Sequence, residues 1–289
     1  MLIAVCYLTG FYLKIPNRGL SPGKPELMDC SMTEVIGLTI AEGIATVVLN
    51  RPEKMNALNL DMWRQLTRHF DALHQDASLR CIILRGAAGN FAAGADLAEF
   101  RDQRWTTDQA VTYGEIMITA LRAVRDCPHP TIAAIEGNCI GAGLEVAAMC
   151  DLRLAVASAR FGVPIQKIGV TMPYPELSEL VTLLGRATML ELLLEGGIHS
   201  ADWALAKGLV TRICDEASLD SDLEGLIKRI TAGSPLSHRN HKKMTRRCQE
   251  TVELTPAEVR AAYAACEAAD CREGIAAFLA KRRPVFSGG

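Results

Sequence analysis

Two short segments rich in glycine and alanine, residues 89–96 and 137–145, contain the residue types best suited to chemistry in this sequence. Because their side chains are so small, a ligand can contact the backbone directly. The second segment opens a predicted helix, whose first amides have no intrahelical partner and whose dipole favours negative charge. One amide from each segment could therefore hold a developing oxyanion. The alternative is that the small residues only allow a strand and a helix to pack closely.

Two common glycine motifs do not fit the second segment. A dinucleotide-binding turn needs another glycine three residues after Gly143, and Val146 stands there. A hydrolase nucleophile elbow needs a serine between its glycines, and this segment has none. Neither a dinucleotide site nor a serine nucleophile is predicted.

The elements that must position these turns alternate along the chain. Strands are predicted at residues 35–40, 44–49, 81–84, 131–135 and 152–156. The first two form a hairpin, and the others are separated by helix-length patterns, which is typical of βα units and a mainly parallel sheet. A helix follows residue 52 with four large apolar residues in phase, which are Trp63, Leu66, Phe70 and Leu73.

Further helices are predicted over residues 108–125, from Leu144, and over residues 219–230. The first of these places Val111 in phase with Ile118, Leu121 and Val124. After residue 176 the only predicted strand is residues 209–213, and the rest of the chain is helical. The fold class is therefore α/β, with a βα core followed by a helical C-terminal region.

Composition excludes several classes of partner. The 289 residues include 31 basic and 33 acidic side chains, a formal charge of −2, and 49% are hydrophobic. No run of Lys or Arg exceeds three residues, so neither a nucleic acid nor an anionic membrane is expected as a partner. The ten cysteines include no Cys-x-x-Cys pair and several lie in apolar stretches, which favours reduced core thiols in the cytoplasm.

The N-terminal segment is predicted to stand outside the core. Residues 1–13 are uncharged and mostly apolar, but too short to span a bilayer. No basic residue precedes them, as a secretory signal requires. We predict that residues 1–32 are a leader, either disordered or an overextended start, with an organellar targeting peptide as the alternative.

Several ordered motifs together carry a resemblance to a known family. They comprise residues 44–52, 56–58, 91–97, 132–137 running to Glu145, 147–151, 159–164, 204–210 and 272–282. In this order and spacing the sequence resembles the enoyl-CoA hydratase/isomerase (crotonase) superfamily over nearly all of residues 35–287. The resemblance is specific for the superfamily and much less specific for the reaction.

The resemblance implies a crotonase-like spiral of ββα units over residues 33–230 and a helical trimerisation region over residues 231–289. It implies a homotrimer or a dimer of trimers that takes an acyl-CoA thioester as substrate. The thioester carbonyl would accept hydrogen bonds from the amides of Ala95 and Ala142. Many relatives have Gly where Ala142 stands, and Ala is tolerable there if its φ is negative. Such preorganised donors stabilise the enolate-like charge on the thioester oxygen.

The resemblance also implies where coenzyme A binds. Met55, Ala57 and Ala93 match the stretch that lines the adenine and pantetheine. Phe278 and Lys281 match a C-terminal helix that can reach the coenzyme A of a neighbouring subunit. Coenzyme A is part of the substrate, so no separate cofactor is expected.

Glu145 matches the first catalytic glutamate of the hydratases, and an unpaired buried carboxylate is costly for stability. The alternative role is a cap for nearby helix amides. The second hydratase glutamate ordinarily follows the proline of the Phe-Gly-x-Pro motif, where this chain has Ile165. Glu176 lies in the loop from which isomerase-type relatives supply an alternative acid, although a glutamate in a helix's first turn is also simply favoured by the dipole.

The predicted function is an acyl-CoA enzyme that stabilises a thioester enolate, with hydration of trans-2-enoyl-CoA as the leading reaction. An enoyl-CoA isomerase is the alternative, and a catalytically silent acyl-CoA-binding homologue is a third possibility. No metal is expected: His238 and His241 could share a helix face, but Arg239, Lys242 and Lys243 surround them and would repel a cation.

Overall fold

The computed structural model describes residues 34–289 and contains two β-sheets. The nine strands within these described residues are β1 (Ile36–Ala41), β2 (Ile44–Leu49), β3 (Cys81–Gly86), β4 (Thr131–Ile135), β5 (Asn138–Ile140), β6 (Leu152–Val156), β7 (Arg160–Gly162), β8 (His199–Ser200) and β9 (Arg212–Cys214). The larger sheet has the order β1-β2-β3-β4-β6-β9. Only the β1–β2 hairpin is antiparallel, and the four other pairs are parallel. The predicted α/β class with a mainly parallel sheet is confirmed.

Residues 34–289 also contain ten α-helices. They are α1 (Leu60–Gln75), α2 (Phe100–Gln103), α3 (Thr107–Asp126), α4 (Ala142–Ala148), α5 (Tyr174–Leu190), α6 (Ala201–Ala206), α7 (Leu219–Thr231), α8 (Pro235–Arg247), α9 (Pro256–Tyr263) and α10 (Ala269–Leu279). The predicted boundary between residues 230 and 231 lies within the last turn of α7 and stays a prediction. The predicted leader, residues 1–32, lies outside the described residues.

Helix α1 forms where the apolar spacing predicts it. The Asn59 side chain accepts a hydrogen bond from the Met62 amide at 2.9 Å and so caps the helix. All four apolar residues predicted to share a face are buried, and α1 packs against α3. The prediction for α3 is wrong at one position, because Val111 is 54% exposed. At this end of α3 the buried side chain is Tyr113, which lies two residues later and therefore on a different face of the helix.

The smaller sheet, with the order β5-β7-β8, is absent from the sequence-based prediction. Strand β5 lies inside the second glycine-rich segment, where only a turn was expected. Downstream of residue 176 there are two strands rather than one, and the second is Arg212–Cys214 rather than residues 209–213. Leu209 and Val210 are buried before this strand begins. Strands of two or three residues are too short to show a periodic pattern.

The buried Asp270 of α10 forms hydrogen bonds with residues on both sides of this helix in the sequence. The Asp270 carboxylate accepts hydrogen bonds from the Ser234 hydroxyl at 2.6 Å and from the Ser287 amide at 2.8 Å. Apolar side chains nevertheless stay exposed along this segment, and we call Ile275, Phe278, Leu279 and Val285 the C-terminal apolar patch. None of the helices in the described part of the chain is long and apolar enough to cross a membrane.

Candidate active site

The two glycine- and alanine-rich turns lie against each other. The Ala92 amide donates to the Asn138 carbonyl at 2.8 Å, and the Ile140 amide donates to the Ala92 carbonyl at 3.0 Å. The two turns are also close at Gly94 and Gly141, since a Cβ atom built on Gly141 would lie 3.8 Å from the Cα of Gly94. The turns predicted to act together are therefore brought together.

Glycine is required at two positions of the second turn. Gly141 has a φ of 49°, a conformation that L side chains rarely adopt, and it precedes α4. A Cβ on Gly143 would come within 2.6 Å of the Ala92 carbonyl oxygen, which is backbone and cannot move aside. The small residues thus serve close packing, one of the two alternatives that the sequence left open.

Two backbone amides at these turns have no backbone partner within residues 34–289. Among the described residues, the N–H groups of Ala95 and Ala142 donate to no backbone acceptor outside their own elements. Ala142 is the first residue of α4, so no carbonyl of that helix can reach its amide, and its φ is negative. Both residues line one cavity of about 390 Å³. Backbone N–H groups without an acceptor are the kind of donor that an anionic oxygen needs.

Residues outside the predicted site hold the first turn in place. The Arg51 guanidinium pairs with the Asp96 carboxylate at 2.8 Å and donates to the Ala57 carbonyl at 2.7 Å. The buried Asn56 side chain donates to the carbonyls of Ala87 and Asn90. Arg51 and Asn56 belong to the motif residues 44–52 and 56–58, and because residues 50–56 are mostly polar, their residue types did not mark them for this role.

Glu145 lies in the first turn of α4 and its side chain faces the cavity. The residue is 8% exposed, and its Oε2 atom has no hydrogen-bond partner among the described residues. Burial raises the pKa of Glu145 to about 7, with a further upward contribution from the nearby Glu176 and an opposing one from Arg104. Glu145 therefore does not cap helix amides with both oxygens, and it can exchange a proton near neutral pH.

Glu176, in the first turn of α5, lines the same cavity. It is 2% exposed and its Oε2 atom is also unpartnered. Burial raises the pKa of Glu176, while a hydrogen bond from its own amide and the charge of Arg104 act in the opposite direction. Ile165 lines the cavity as an apolar wall. Two carboxyl groups thus meet in one cavity, although neither comes from position 165.

The predicted coenzyme A residues fall into two groups. Ala93 lines the cavity, and its amide donates to the Met55 carbonyl at 3.0 Å, which places Met55 beside it. Met55 is 50% exposed, and Ala57 is half-buried. Phe278 is 82% exposed, Lys281 is also exposed, and neither lines the cavity. Within the described chain, the structure does not bring these last two residues to the site.

A second cavity, of about 520 Å³, contains the two histidines considered above as metal ligands. Asp151 accepts hydrogen bonds there from the Thr131 amide and hydroxyl and pairs with Lys242 at 2.7 Å. His238 and His241 line the cavity beside Lys242 and Arg246. In residues 34–289, no three His, Cys, Asp or Glu side chains come together as a metal site.

Comparison with known proteins decides the family. The model of the family described as enoyl-CoA hydratase/isomerase matches residues 39–289. The chain belongs to this family. As a member of the enoyl-CoA hydratase/isomerase family it is an enzyme of the hydratase type, and the resemblance of its motifs is confirmed.

Relatives and solved structures agree along most of the chain. A probable enoyl-CoA hydratase of Mycobacterium bovis is 34% identical over 250 residues, which is 84% of this chain and 94% of that protein. A crotonyl-CoA hydratase of Syntrophomonas wolfei is 30% identical and covers 88% of this chain and 98% of its own length. A crystal structure of an enoyl-CoA hydratase/carnithine racemase from Magnetospirillum magneticum, 46% identical, superposes with a TM-score of 0.88 over 91% of this chain and 98% of the other.

Proposed function

We propose that this enzyme adds water to trans-2-enoyl-CoA thioesters and forms 3-hydroxyacyl-CoA. One observation carries the proposal: a single cavity is lined by two buried glutamates and by two residues, Ala95 and Ala142, whose amides have no backbone partner within the described residues. The amides suit the charge that develops on a thioester oxygen, and the carboxyls suit the proton transfers that accompany it. The relative from Syntrophomonas wolfei, named for hydration of crotonyl-CoA, supports the same reaction.

In the proposed mechanism the Ala95 and Ala142 amides bind the thioester oxygen and polarise the C2–C3 double bond. The Glu145 carboxylate takes a proton from a water molecule as the water oxygen attacks C3. The electron pair of the double bond moves to the thioester oxygen, where the two amides stabilise the resulting enolate. Glu176, in its protonated form, then delivers a proton to C2. Transfer of the proton from Glu145 to Glu176 restores the starting state, so one water is added in total.

The raised pKa values of Glu145 and Glu176 support a pair of carboxyl groups that shares one proton. Two carboxyl groups in one water-poor cavity cannot both ionise easily, so one keeps its proton while the other is charged. A pKa of about 7 for Glu145 keeps both of its protonation states accessible near neutral pH. The enzyme therefore holds a base and an acid together without a glutamate at position 165.

Enoyl-CoA isomerisation remains the second candidate, because Ile165 makes one wall of the cavity apolar. An isomerase needs no bound water, only a group that moves a proton between carbons. The test is to incubate the purified enzyme with crotonyl-CoA and, separately, with 3-enoyl-CoA thioesters, and to identify the products by mass and retention time. A 3-hydroxy product from crotonyl-CoA supports hydration. Failure to hydrate any chain length, with conversion of 3-enoyl-CoA, contradicts it.

We further propose a cytoplasmic homotrimer or dimer of trimers. The C-terminal apolar patch supports assembly, since Phe278 is 82% and Leu279 is 76% exposed in the single chain. Phe278 and Lys281 would then contact the coenzyme A of a neighbouring subunit. The eight cysteines within the described residues are free thiols, which fits a reducing compartment. Coenzyme A, as part of the substrate, is the only cofactor that we propose. We propose no metal and no nucleic acid or membrane as a partner.

A further inference from the structure

A positively charged side chain that the proposed mechanism does not use also lines the active-site cavity. Arg104 follows directly after α2, and its guanidinium carbon lies 5.1 Å from the ring centre of Phe100 and 4.8 Å from that of Tyr113. Contact with two aromatic faces fixes the plane of a guanidinium through cation–π attraction without occupying its N–H groups. The Nε–H of Arg104 is buried and has no hydrogen-bond partner among the described residues.

The two glutamates do not satisfy this guanidinium. Arg104 is near enough to oppose the upward pKa shifts of Glu145 and Glu176. However, none of the ion pairs within residues 34–289 includes Arg104. A buried donor without an acceptor costs free energy unless a ligand supplies one. The arrangement therefore leaves room for an anionic acceptor from the substrate.

The charge balance of the cavity also favours an anion. Its charged lining consists of Arg104, Lys167, Glu145 and Glu176. With one proton shared between the two glutamates, Arg104 balances the remaining carboxylate, and Lys167, which is exposed, adds a further positive charge. The rest of the lining is largely apolar and includes Leu97, Met117, Met172 and Ile198.

The burial of the neighbouring residues indicates which part of an acyl-CoA reaches Arg104. Tyr113 is 3% exposed and Met117 is 5% exposed, whereas Met55, beside the predicted coenzyme A stretch, is 50% exposed. The phosphates of coenzyme A are strongly hydrated and belong at the exposed side. The acyl tail, which enters the cavity beyond the thioester, is the part of the substrate that meets the buried Tyr113 and the half-buried Phe100.

We infer that Arg104 binds a carboxylate at the far end of the acyl chain, so that the preferred substrates are enoyl-CoA thioesters of dicarboxylic acids. The inference rests on the proposed hydration and names its substrate class. A guanidinium fork can bind a carboxylate through two parallel hydrogen bonds, which a monocarboxylic acyl chain cannot provide. Arg104 acts here as a specificity-determining residue.

The test compares trans-2-hexenedioyl-CoA with trans-2-hexenoyl-CoA, two substrates of equal length that differ in the terminal carboxylate. Wild-type enzyme should show the higher kcat/KM on the diacid. Arg104→Met keeps an apolar stem and removes the charge, and should lower that ratio about 10- to 100-fold, mostly through activity on the diacid. Arg104→Lys should restore part of the preference. Arg101→Met, an exposed arginine of α2 outside the cavity, is the matched control and should leave the ratio unchanged.

Binding of saturated ligands separates this inference from the proposed reaction. Adipyl-CoA and hexanoyl-CoA need no turnover, and calorimetry should show tighter binding of adipyl-CoA that Arg104→Met abolishes. If neither enoyl substrate is hydrated but this difference persists, the proposed reaction fails and the role of Arg104 stands. If Arg104→Met instead lowers kcat/KM equally on both enoyl substrates and shifts the pH profile, Arg104 acts only by adjusting the pKa values of the two glutamates. That outcome, or a wild-type preference for the monoacid, overturns the inference.

Discussion

Glu145 of α4 and Glu176 of α5 line the same cavity, and each has one buried carboxylate oxygen that no group within residues 34–289 hydrogen-bonds. The two helices are joined through β6, β7 and the 3₁₀ turn at Ile165–Ile168, so the pair is created by the path of the chain between them. Both carboxyls have a raised pKa, and desolvation is the main cause for each. In the proposed mechanism this pair takes the place of an arrangement in which the second acid would stand at position 165.

Replacing Glu145 by Gln should lower kcat for hydration of crotonyl-CoA by at least about 100-fold, because a positioned base contributes on that scale. The amide is nearly isosteric, so thermal unfolding should show a folded protein. Glu115→Gln, at an exposed position of α3, is the control and should retain full activity. Wild-type hydration by Glu145→Gln would contradict the role of Glu145 as the base.

Glu176→Gln distinguishes a two-carboxyl site from one in which Glu145 works alone. We expect a loss of about 100-fold in hydration, since the variant cannot deliver a proton to C2. A variant that keeps most of its hydration activity would show that Glu145 performs both proton transfers.

Ile165→Glu separates hydration from isomerisation. Placing a carboxyl in the apolar wall of the cavity should raise hydration of crotonyl-CoA and partly rescue the Glu176→Gln variant. Ile165→Gln, which is polar but cannot ionise, is the matched control and should rescue neither. If Glu176→Gln abolishes isomerisation of 3-enoyl-CoA and Ile165→Glu adds no hydration, isomerisation is the reaction of this enzyme.

Ala142→Pro tests the amide pair directly. Proline lacks the N–H group but suits the first position of a helix, where Ala142 stands, so α4 should survive. Loss of one oxyanion donor should lower kcat by about 100- to 1,000-fold. Ala142→Ser retains the N–H and should keep most of the activity. Comparable activity in the proline variant would exclude this amide from the reaction.

Glu145 should make the free energy of unfolding depend on pH. Because burial raises its pKa from 4.5 to about 7, the folded state holds a proton that the unfolded state releases. The contribution of protonated Glu145 to the free energy of unfolding is therefore complete below about pH 4.5 and is lost as the pH rises through about 7. Between pH 5 and 8 the free energy of unfolding should fall by about 2 to 3 kcal/mol. Glu145→Gln should remove this loss, as measured by urea unfolding at both pH values. An unchanged difference between the two pH values would show that Glu145 is not the group responsible.

The fold of the parallel sheet could be predicted from the sequence because its signals are local. The bounds of β2, β4 and β6 match the predicted strands, since buried parallel strands are short apolar runs between turns. The stripe on α1 identified its buried face in the same way. The two turns rich in Gly and Ala could also be predicted, because runs of such small residues are themselves a signal of close backbone approach. Glu145 could be predicted because an acidic residue in an apolar segment is unusual.

Only the tertiary structure decided which of these residues meet. From the sequence, Glu176 could be either a first-turn glutamate favoured by the helix dipole or an acid of the site. The packing of α5 buries it in the same cavity as Glu145. Arg104 had no signal at all, because an arginine near a helix end is ordinary until two aromatic rings hold it in a cavity. The short strands β5, β7 and β8 likewise depend on partners far away in the chain. Spacing along a chain fixes which face of an element is apolar, whereas the convergence of side chains depends on how separate elements pack in three dimensions.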